Sequence, residues 1–192
     1  MAKKTYTELV SSLGRNAESD ECYTPVDQVL PLLPYLNKDK TYYEATSGIS
    51  SNILDGFTKW GYSIVGSNGR DFFTCEHNDV YDGIITNPPY SLKDKFFRHC
   101  YDLGKPFALL LPVASFQGGA RGKMFMEYGM SALVYNNRVD FTGKGNPTFG
   151  NAWFMWGFDT MPPNTIHWVD NPKIGEKIEF REITTVDTLF DM

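Results

Sequence analysis

Residues 81–90 read Tyr-Asp-Gly-Ile-Ile-Thr-Asn-Pro-Pro-Tyr, and this stretch decides the fold. Its apolar run predicts a strand over 81–86 that is buried on both faces, as the strands of a parallel sheet are. Pro88 and Pro89 have no N–H to donate, so the strand cannot continue beyond Asn87. The stretch therefore predicts a core strand with a rigid corner at its carboxyl end.

This corner carries groups suited to activating a planar amine. The lone pair of an aromatic amine is delocalised into its ring, which makes the nitrogen a poor nucleophile. Attack on a methyl group therefore requires acceptors that form hydrogen bonds with both amino hydrogens. Asn87 offers a side-chain carbonyl and Pro88 a main-chain carbonyl, and the fixed φ angles of Pro88 and Pro89 hold both in place. Tyr90 offers a flat face on which a flipped base can stack. The alternative is a plain strand-terminating turn, but a cofactor-type turn upstream and a predicted helix downstream favour catalysis.

Strands and helices alternate on both sides of the corner, which predicts an α/β domain with a mostly parallel sheet and helices on both faces. The last two strands are expected to form an antiparallel hairpin that closes the sheet edge. Helices are predicted over 52–60 and 92–101, a glycine-rich loop over 117–122, and seven strands over 42–45, 63–66, 71–73, 81–86, 108–113, 134–141 and 152–158.

The first helix is predicted from its cap. Thr24 is expected at the N-cap and Pro25 at the first helical position, where a missing N–H does no harm. Pro31 and Pro34 are then expected to cut this helix short.

Small and polar residues follow the predicted strands at the edge where such sheets bind ligands. Small residues after the first strand let a cofactor approach the backbone, and the next helix points N–H groups toward it. Each signal is weak alone, because ordinary turns, a turn Asp and a core Phe explain the same residues. The candidate cofactor residues are Glu44, Thr46, Ser47, Gly48, Ser50, Asn68, Asp71 and Phe72.

The net charge of −5 argues against nucleic-acid binding when it is averaged over the chain, but the charges are segregated. Residues 87–150 carry 8 Lys and Arg against 4 Asp and Glu, whereas residues 1–86 carry 7 against 12 and residues 151–192 carry 3 against 7. This basic section suits a surface that follows phosphates, although an ordinary solvated face would look the same. The candidate substrate contacts in it are Lys93, Arg121, Lys123 and Lys144.

Length and composition predict one core, since 192 residues with 42% hydrophobic side chains do not fill two. We expect a mobile arm over 1–21, the catalytic domain over 22–170 and an acidic extension over 171–192. The cysteines are scattered and odd in number and the histidines lie far apart, so neither disulfides nor a metal site are expected. A start without a secretion signal and the lack of a membrane-spanning run favour a cytoplasmic protein.

Together these stretches resemble the Rossmann-like amino methyltransferases whose signature is Asn/Asp-Pro-Pro-Tyr/Phe, and among them the phage-type adenine DNA methyltransferases. Four stretches match over roughly residues 20–160, in the family's gamma order, with the cofactor motifs before the catalytic one. The resemblance implies a single Rossmann-like domain that transfers a methyl group from S-adenosylmethionine to the exocyclic amino nitrogen of adenine in DNA, after flipping the base into the pocket.

The resemblance also assigns individual stretches. Tyr23-Thr24-Pro25 looks like the N-terminal motif that packs on the methionine half of the cofactor. The turn from Glu44 to Ser50 looks like the principal cofactor loop, and Asp71-Phe72 stands where the family contacts the adenine of the cofactor. Asn87-Pro88-Pro89-Tyr90 matches the catalytic tetrapeptide without a change, and Phe149 would be a second stacking partner for the flipped base.

Three departures from the family pattern affect these expectations. Ser50 stands where a second glycine is usual, and Asn68 stands where a carboxylate for the ribose is usual, so we expect weaker cofactor binding rather than its loss. In addition, we expect no separate target-recognition domain after the core. Sequence reading is therefore expected from loops such as 117–130, from a specificity partner or from a homodimer, with a short site or little specificity.

Other functions stay open at this point. Adenine in RNA is the runner-up substrate, because related enzymes with the same tetrapeptide methylate RNA bases. A non-catalytic subunit that binds cofactor or nucleic acid is a second alternative, motivated by Ser50 and Asn68. Cytosine C5 methylation is disfavoured, because it needs a thiolate nucleophile after a proline and none of the three cysteines follows one.

Overall fold

The computed structural model describes residues 24–48, 51–77, 80–141 and 149–172. The strands are β1 (Thr41–Glu44), β2 (Ser63–Gly66), β3 (Gly83–Thr86), β4 (Phe107–Pro112), β5 (Ser131–Tyr135), β6 (Asn151–Trp156) and β7 (Ile166–Val169). The α-helices are α1 (Asn52–Lys59), α2 (Lys93–Leu103) and α3 (Gly119–Tyr128), and 3-10 helices cover Val26–Tyr35, Tyr90–Leu92 and Val113–Phe116.

The described strands form one sheet in the order β2-β1-β3-β4-β6-β5-β7. β6 runs antiparallel to both of its neighbours, β4 and β5, and the other pairs are parallel. Apolar cores lie on both faces: one includes Leu32, Phe57 and Trp153, and the other includes Phe96 and Phe154. The predicted α/β class, with a mostly parallel sheet and an antiparallel C-terminal pair, is confirmed.

Two details of the predicted sheet are wrong. The antiparallel pair does not close the edge, because β7, which the sequence interpretation missed, pairs with β5 beyond it. β7 lies at the sheet edge and leaves Ile166 and Trp168 exposed, so it lacks the buried apolar run that marks the central strands. The strand predicted over 71–73 is a turn in which the Asp71 carboxylate accepts a hydrogen bond from the Phe73 amide (2.9 Å).

The first helix also differs from its prediction. It is a 3-10 helix that begins at Val26, with Pro25 as its cap and without a side-chain capping bond. Pro31 and Pro34 do not end it: both lie inside the helix, three residues apart and so on the same side of a 3-10 helix, where Pro34 is exposed.

The loop predicted over 117–122 is mostly helix, since α3 begins at Gly119. Arg121 holds this segment: it is 7% exposed, and its Nε and Nη2 donate to the carbonyls of Ser115 (2.9 Å) and Gln117 (2.5 Å). Its Nη1 forms an ion pair with Asp94 of α2. These bonds, two to carbonyls just before the helix and one to the distant Asp94, offset the poor helix propensity of the glycines.

The close packing of α1 on the first 3-10 helix predicts opposite effects for two helical glycines. A Cβ at Gly56 would lie 2.6 Å from the Val26 carbonyl oxygen and 2.8 Å from a Val29 methyl group. Gly56→Ala should therefore lower the free energy of unfolding by about 1–3 kcal/mol in urea titration, despite the better helix propensity of alanine. In the matched control Gly122→Ala the new Cβ meets nothing within 4 Å, so stability should rise by up to about 1 kcal/mol. Equal stabilisation by both changes would contradict this packing.

Candidate functional site

The candidate site lies at the carboxyl ends of β1 and β3, which are neighbours in the sheet. β2 lies on one side of β1 and β3 lies on the other side. The chain runs from β1 to β2 and only then to β3, so the strand order reverses between β1 and β3. A crevice forms outside the strand ends at such a switch point, and open α/β sheets bind their ligands there. The fold thus brings the turn after Glu44 next to Asn87.

A buried carboxylate occupies the switch point. Glu44 is 2% exposed, and its Oε1 lies 3.0 Å from the Thr46 amide nitrogen, 3.0 Å from Thr46 Oγ1 and 2.5 Å from Thr86 Oγ1. Burial raises the pKa of Glu44, and hydrogen bonds from Thr86, Thr46 and Ser51 oppose that rise. We call Glu44, Thr46 and Thr86 the Glu44 network.

The Glu44 network extends to the corner at Asn87, where β3 ends. Thr46 Oγ1 lies 2.8 Å from Thr86 Oγ1 and 3.3 Å from the carbonyl oxygen of Asn87, so its single proton can serve one of three acceptors at a time. Thr86 is completely buried and directly precedes Asn87. The sequence interpretation missed Thr86; a lone hydroxyl in an apolar strand was the available signal.

Thr24 meets the corner from the other side. It is 4% exposed, and its hydroxyl accepts a hydrogen bond from Asn87 Nδ2 (3.0 Å) instead of capping the helix as predicted. In this orientation the amide nitrogen of Asn87 faces Thr24, whose hydroxyl could bond either end of the amide because it donates as well as accepts. Pro25 follows directly, whereas Tyr23 lies outside the described residues.

Ser47 joins the turns after β1 and β2. Its buried hydroxyl accepts from the Ser67 amide (2.7 Å), and the Ser67 hydroxyl donates to the Ser47 carbonyl (2.5 Å). A Cβ at Gly66 would lie 2.5 Å from Ser47 Oγ, so only glycine fits beneath this contact. The Ser47 side chain therefore fixes the shape of the turn after β1. The turn itself supplies the surface that a ligand could reach.

Gly48 and Asn68 form the open part of these turns. Both are exposed, and a Cβ added at Gly48 would meet nothing within 4 Å. Asn68 has a φ of 52°, a left-handed conformation that asparagine tolerates better than most residues. Ser50 lies outside the described residues.

Aromatic residues meet at the far side of the corner. The half-buried Tyr90 ring lies edge-to-face with Phe149, with 5.6 Å between ring centroids and 73° between planes. Lys93 Nζ donates to the Tyr90 carbonyl (2.8 Å), and Asn151 Nδ2 donates to the Tyr90 hydroxyl (3.2 Å). The structure therefore brings the two expected stacking residues together and adds Asn151, which the sequence interpretation missed.

The structure does not give Phe72 its expected role. Phe72 is 3% exposed, stacks on Phe96 at 5.2 Å between centroids and is packed by His77 and His99, so its ring is covered by protein. It is a core residue and not a surface for the cofactor adenine. Asp71 is exposed but already bonds the turn.

The basic residues that were expected to contact the substrate differ in their exposure to solvent. Arg121 is buried and bonded within the protein, so its expected contact with substrate phosphate is replaced by a structural role. Lys93 and Lys123 keep positions that solvent reaches, and Lys144 lies outside the described residues.

Two general findings concern the described residues alone. No group of three His, Cys, Asp or Glu side chains in these ranges is placed to hold a metal ion. None of the helices there has both the length and the apolar character that a bilayer-spanning segment needs.

Comparison with known proteins places the fold. No protein-family model and no curated protein matches the chain. Among solved structures it is similar to the methyltransferase subunit of the type I restriction-modification system from Streptococcus thermophilus, at 15% identity and a TM-score of 0.53 over 86% of this chain and 50% of that one. It is also similar to a putative class I S-adenosylmethionine-dependent methyltransferase from Listeria monocytogenes, at 12% identity and a TM-score of 0.50 over 88% and 72% of the two chains.

The chain spans about half of the length of the Streptococcus thermophilus subunit. At these identities the likeness concerns the fold alone: the chain shares the α/β fold of these two structures.

The Glu44 network predicts that the hydroxyl of Thr86 stabilises the site. Thr86→Val keeps the volume but removes the shortest donor to a buried carboxylate, so it should lower the free energy of unfolding by about 1.5–3 kcal/mol, measured in urea. Thr86→Ser is the control that keeps the donor, and it should lose less. Equal losses for valine and serine would show that the hydroxyl contributes nothing.

Proposed function

We propose that this chain transfers a methyl group from S-adenosylmethionine to the exocyclic amino nitrogen of adenine in DNA. One observation carries the proposal: Asn87 stands at the switch point of a methyltransferase fold, with its side-chain amide nitrogen bonded to Thr24 and its main-chain carbonyl contacted by Thr46.

The residues at the strand ends fit the cofactor. S-adenosylmethionine carries an ammonium and a sulfonium, and the positive charge of the bound cofactor would favour the ionised form of the buried Glu44, which would then supply the opposite charge. Gly48 leaves room for close approach to the backbone. Thr24, Glu44, Gly48 and Asn68 are the described residues that would hold the cofactor, which supplies a methyl group on a positively charged sulfur.

Asn87 and Pro88 would activate the substrate amine. With Asn87 Nδ2 bonded to Thr24, the Asn87 side-chain oxygen would accept a hydrogen bond from the substrate amino group. Together with the Pro88 carbonyl it would stabilise the positive charge that develops on the amine nitrogen during attack. Asn87 Oδ1 is itself shielded from solvent, so the residues that cover it must move when the substrate enters. Pro88 and Pro89 are buried, which keeps the corner rigid during that movement.

Tyr90 would hold the flipped base. Its half-buried ring beside Phe149 offers an aromatic wall next to the amine acceptors. The choice of adenine rests on the resemblance of the tetrapeptide. The choice of DNA rests on the same resemblance and on the basic section, from which Lys93 and Lys123 would reach phosphates.

The proposal is tested by looking for the product. The protein is expressed in cells without adenine methylation, and DNA and RNA are digested to nucleosides and analysed by mass spectrometry. We expect methyladenine in DNA with the wild type and with the control Asn37→Ala, a change at an exposed asparagine before the start of β1 and so at the opposite edge of the sheet. Asn87→Ala should lower the product at least about a hundredfold, while calorimetry shows that S-adenosylhomocysteine still binds.

The other outcomes decide against the proposal. Methyladenine in RNA alone would show that the substrate is RNA and not DNA. The absence of methyladenine from both nucleic acids, with cofactor binding intact, would indicate a non-catalytic binding subunit. Unchanged methylation by Asn87→Ala would remove Asn87 from the mechanism.

A further inference from the structure

The first residue of β6 has a buried side-chain amide in which the nitrogen is hydrogen-bonded but the oxygen has no partner within the described residues. Asn151 is 1% exposed and opens a strand whose next four residues are buried and otherwise apolar. Its Nδ2 donates to the Tyr90 hydroxyl (3.2 Å), but its Oδ1, which is also sealed from solvent, has no hydrogen-bond partner within the described residues. Turning the amide over would only exchange the two ends, because a tyrosine hydroxyl can donate as well as accept.

Such an arrangement is unfavourable for stability. A buried polar atom without a partner loses its bonds to water and gains none in return. An apolar side chain of similar volume would avoid this loss, and the neighbouring positions of β6 are occupied by apolar residues. Stability alone therefore does not explain asparagine here.

The position of Asn151 is fixed by the sheet. It pairs with Pro112 at the carboxyl end of β4, and the adjacent Gly150 carbonyl accepts from the Val113 amide (2.8 Å). A side chain anchored in this way can orient a partner that is less constrained. Tyr90 is such a partner, since it is half-buried and lies in a short 3-10 turn.

We propose that Asn151 is a positioning residue for the substrate base: its amide holds the Tyr90 ring, through the Tyr90 hydroxyl, in the orientation that stacks on the flipped base. Phe149, two residues earlier, limits the same ring from its edge-to-face contact. The identity of the stacked base rests on the proposed function. The contact between Asn151 and Tyr90 does not depend on it.

The test is a double-mutant cycle. Asn151→Leu removes the amide at similar volume, and Tyr90→Phe removes the hydroxyl without touching β6. Each should raise the KM for unmethylated DNA roughly tenfold, the factor that corresponds to about 1.4 kcal/mol, and the double variant should lose no more than either single variant. The Kd for S-adenosylhomocysteine should not change, and Asn151→Leu should not lower the midpoint of thermal unfolding.

Ser115→Ala is the matched control. Ser115 Oγ is also buried and also has no hydrogen-bond partner within the described residues, but Ser115 lies in the 3-10 helix that follows β4 and not in β6. It should leave the KM for DNA unchanged. Additive losses for Asn151→Leu and Tyr90→Phe, or an equal loss with Ser115→Ala, would overturn the proposal.

A second measurement separates this proposal from the proposed function. In the free protein, NMR should show cross-peaks between the Tyr90 and Phe149 rings that weaken in Asn151→Leu and in Tyr90→Phe. Unchanged cross-peaks would overturn the role of Asn151 even in an active enzyme. Weakened cross-peaks in a protein that methylates nothing would support the role of Asn151 and reject the proposed function.

Discussion

The site depends on one buried carboxylate and the hydroxyl groups that surround it. A carboxylate removed from water is tolerated only when donors replace the lost hydration, and Thr46 and Thr86 supply them to Glu44. These two threonines belong to different segments, the turn after β1 and the end of β3. Satisfying Glu44 therefore holds the two strand ends at a set distance, and Asn87 follows directly from the second of them.

The sheet explains why the other contacts gather at the same place. Parallel strands end on one edge, which collects the turns after β1, β2 and β3. Because β6 runs antiparallel, its beginning and not its end lies at that edge, and this brings Phe149 and Asn151 beside Tyr90. Thr24 arrives from the segment before the sheet and bonds Asn87. Four distant parts of the chain thus meet at the tetrapeptide.

Local sequence patterns predicted much of this arrangement. The apolar run before the prolines indicated β3 and its corner, and the small residues after Glu44 indicated the neighbouring turn, because both signals lie within a few residues. The helix at Gly119 was missed because its glycines indicate a loop, and the bonds of the Arg121 side chain, to the distant Asp94 and to two carbonyls just before the helix, show why it forms. Phe72 was misplaced for a related reason, since only the packing of Phe96, His77 and His99 covers its ring. Thr86 and Asn151 act through partners more than forty positions away, which no local pattern reveals.

The most direct test of this account is an amide NMR titration of the protein with S-adenosylhomocysteine. If the ends of β1 and β3 form one cofactor and substrate site, saturable shifts should concentrate at Glu44, Thr46, Gly48 and Asn87 and should leave β7 at the sheet edge unchanged. Saturable shifts confined to another part of the chain, or no saturable shifts at all, would contradict it.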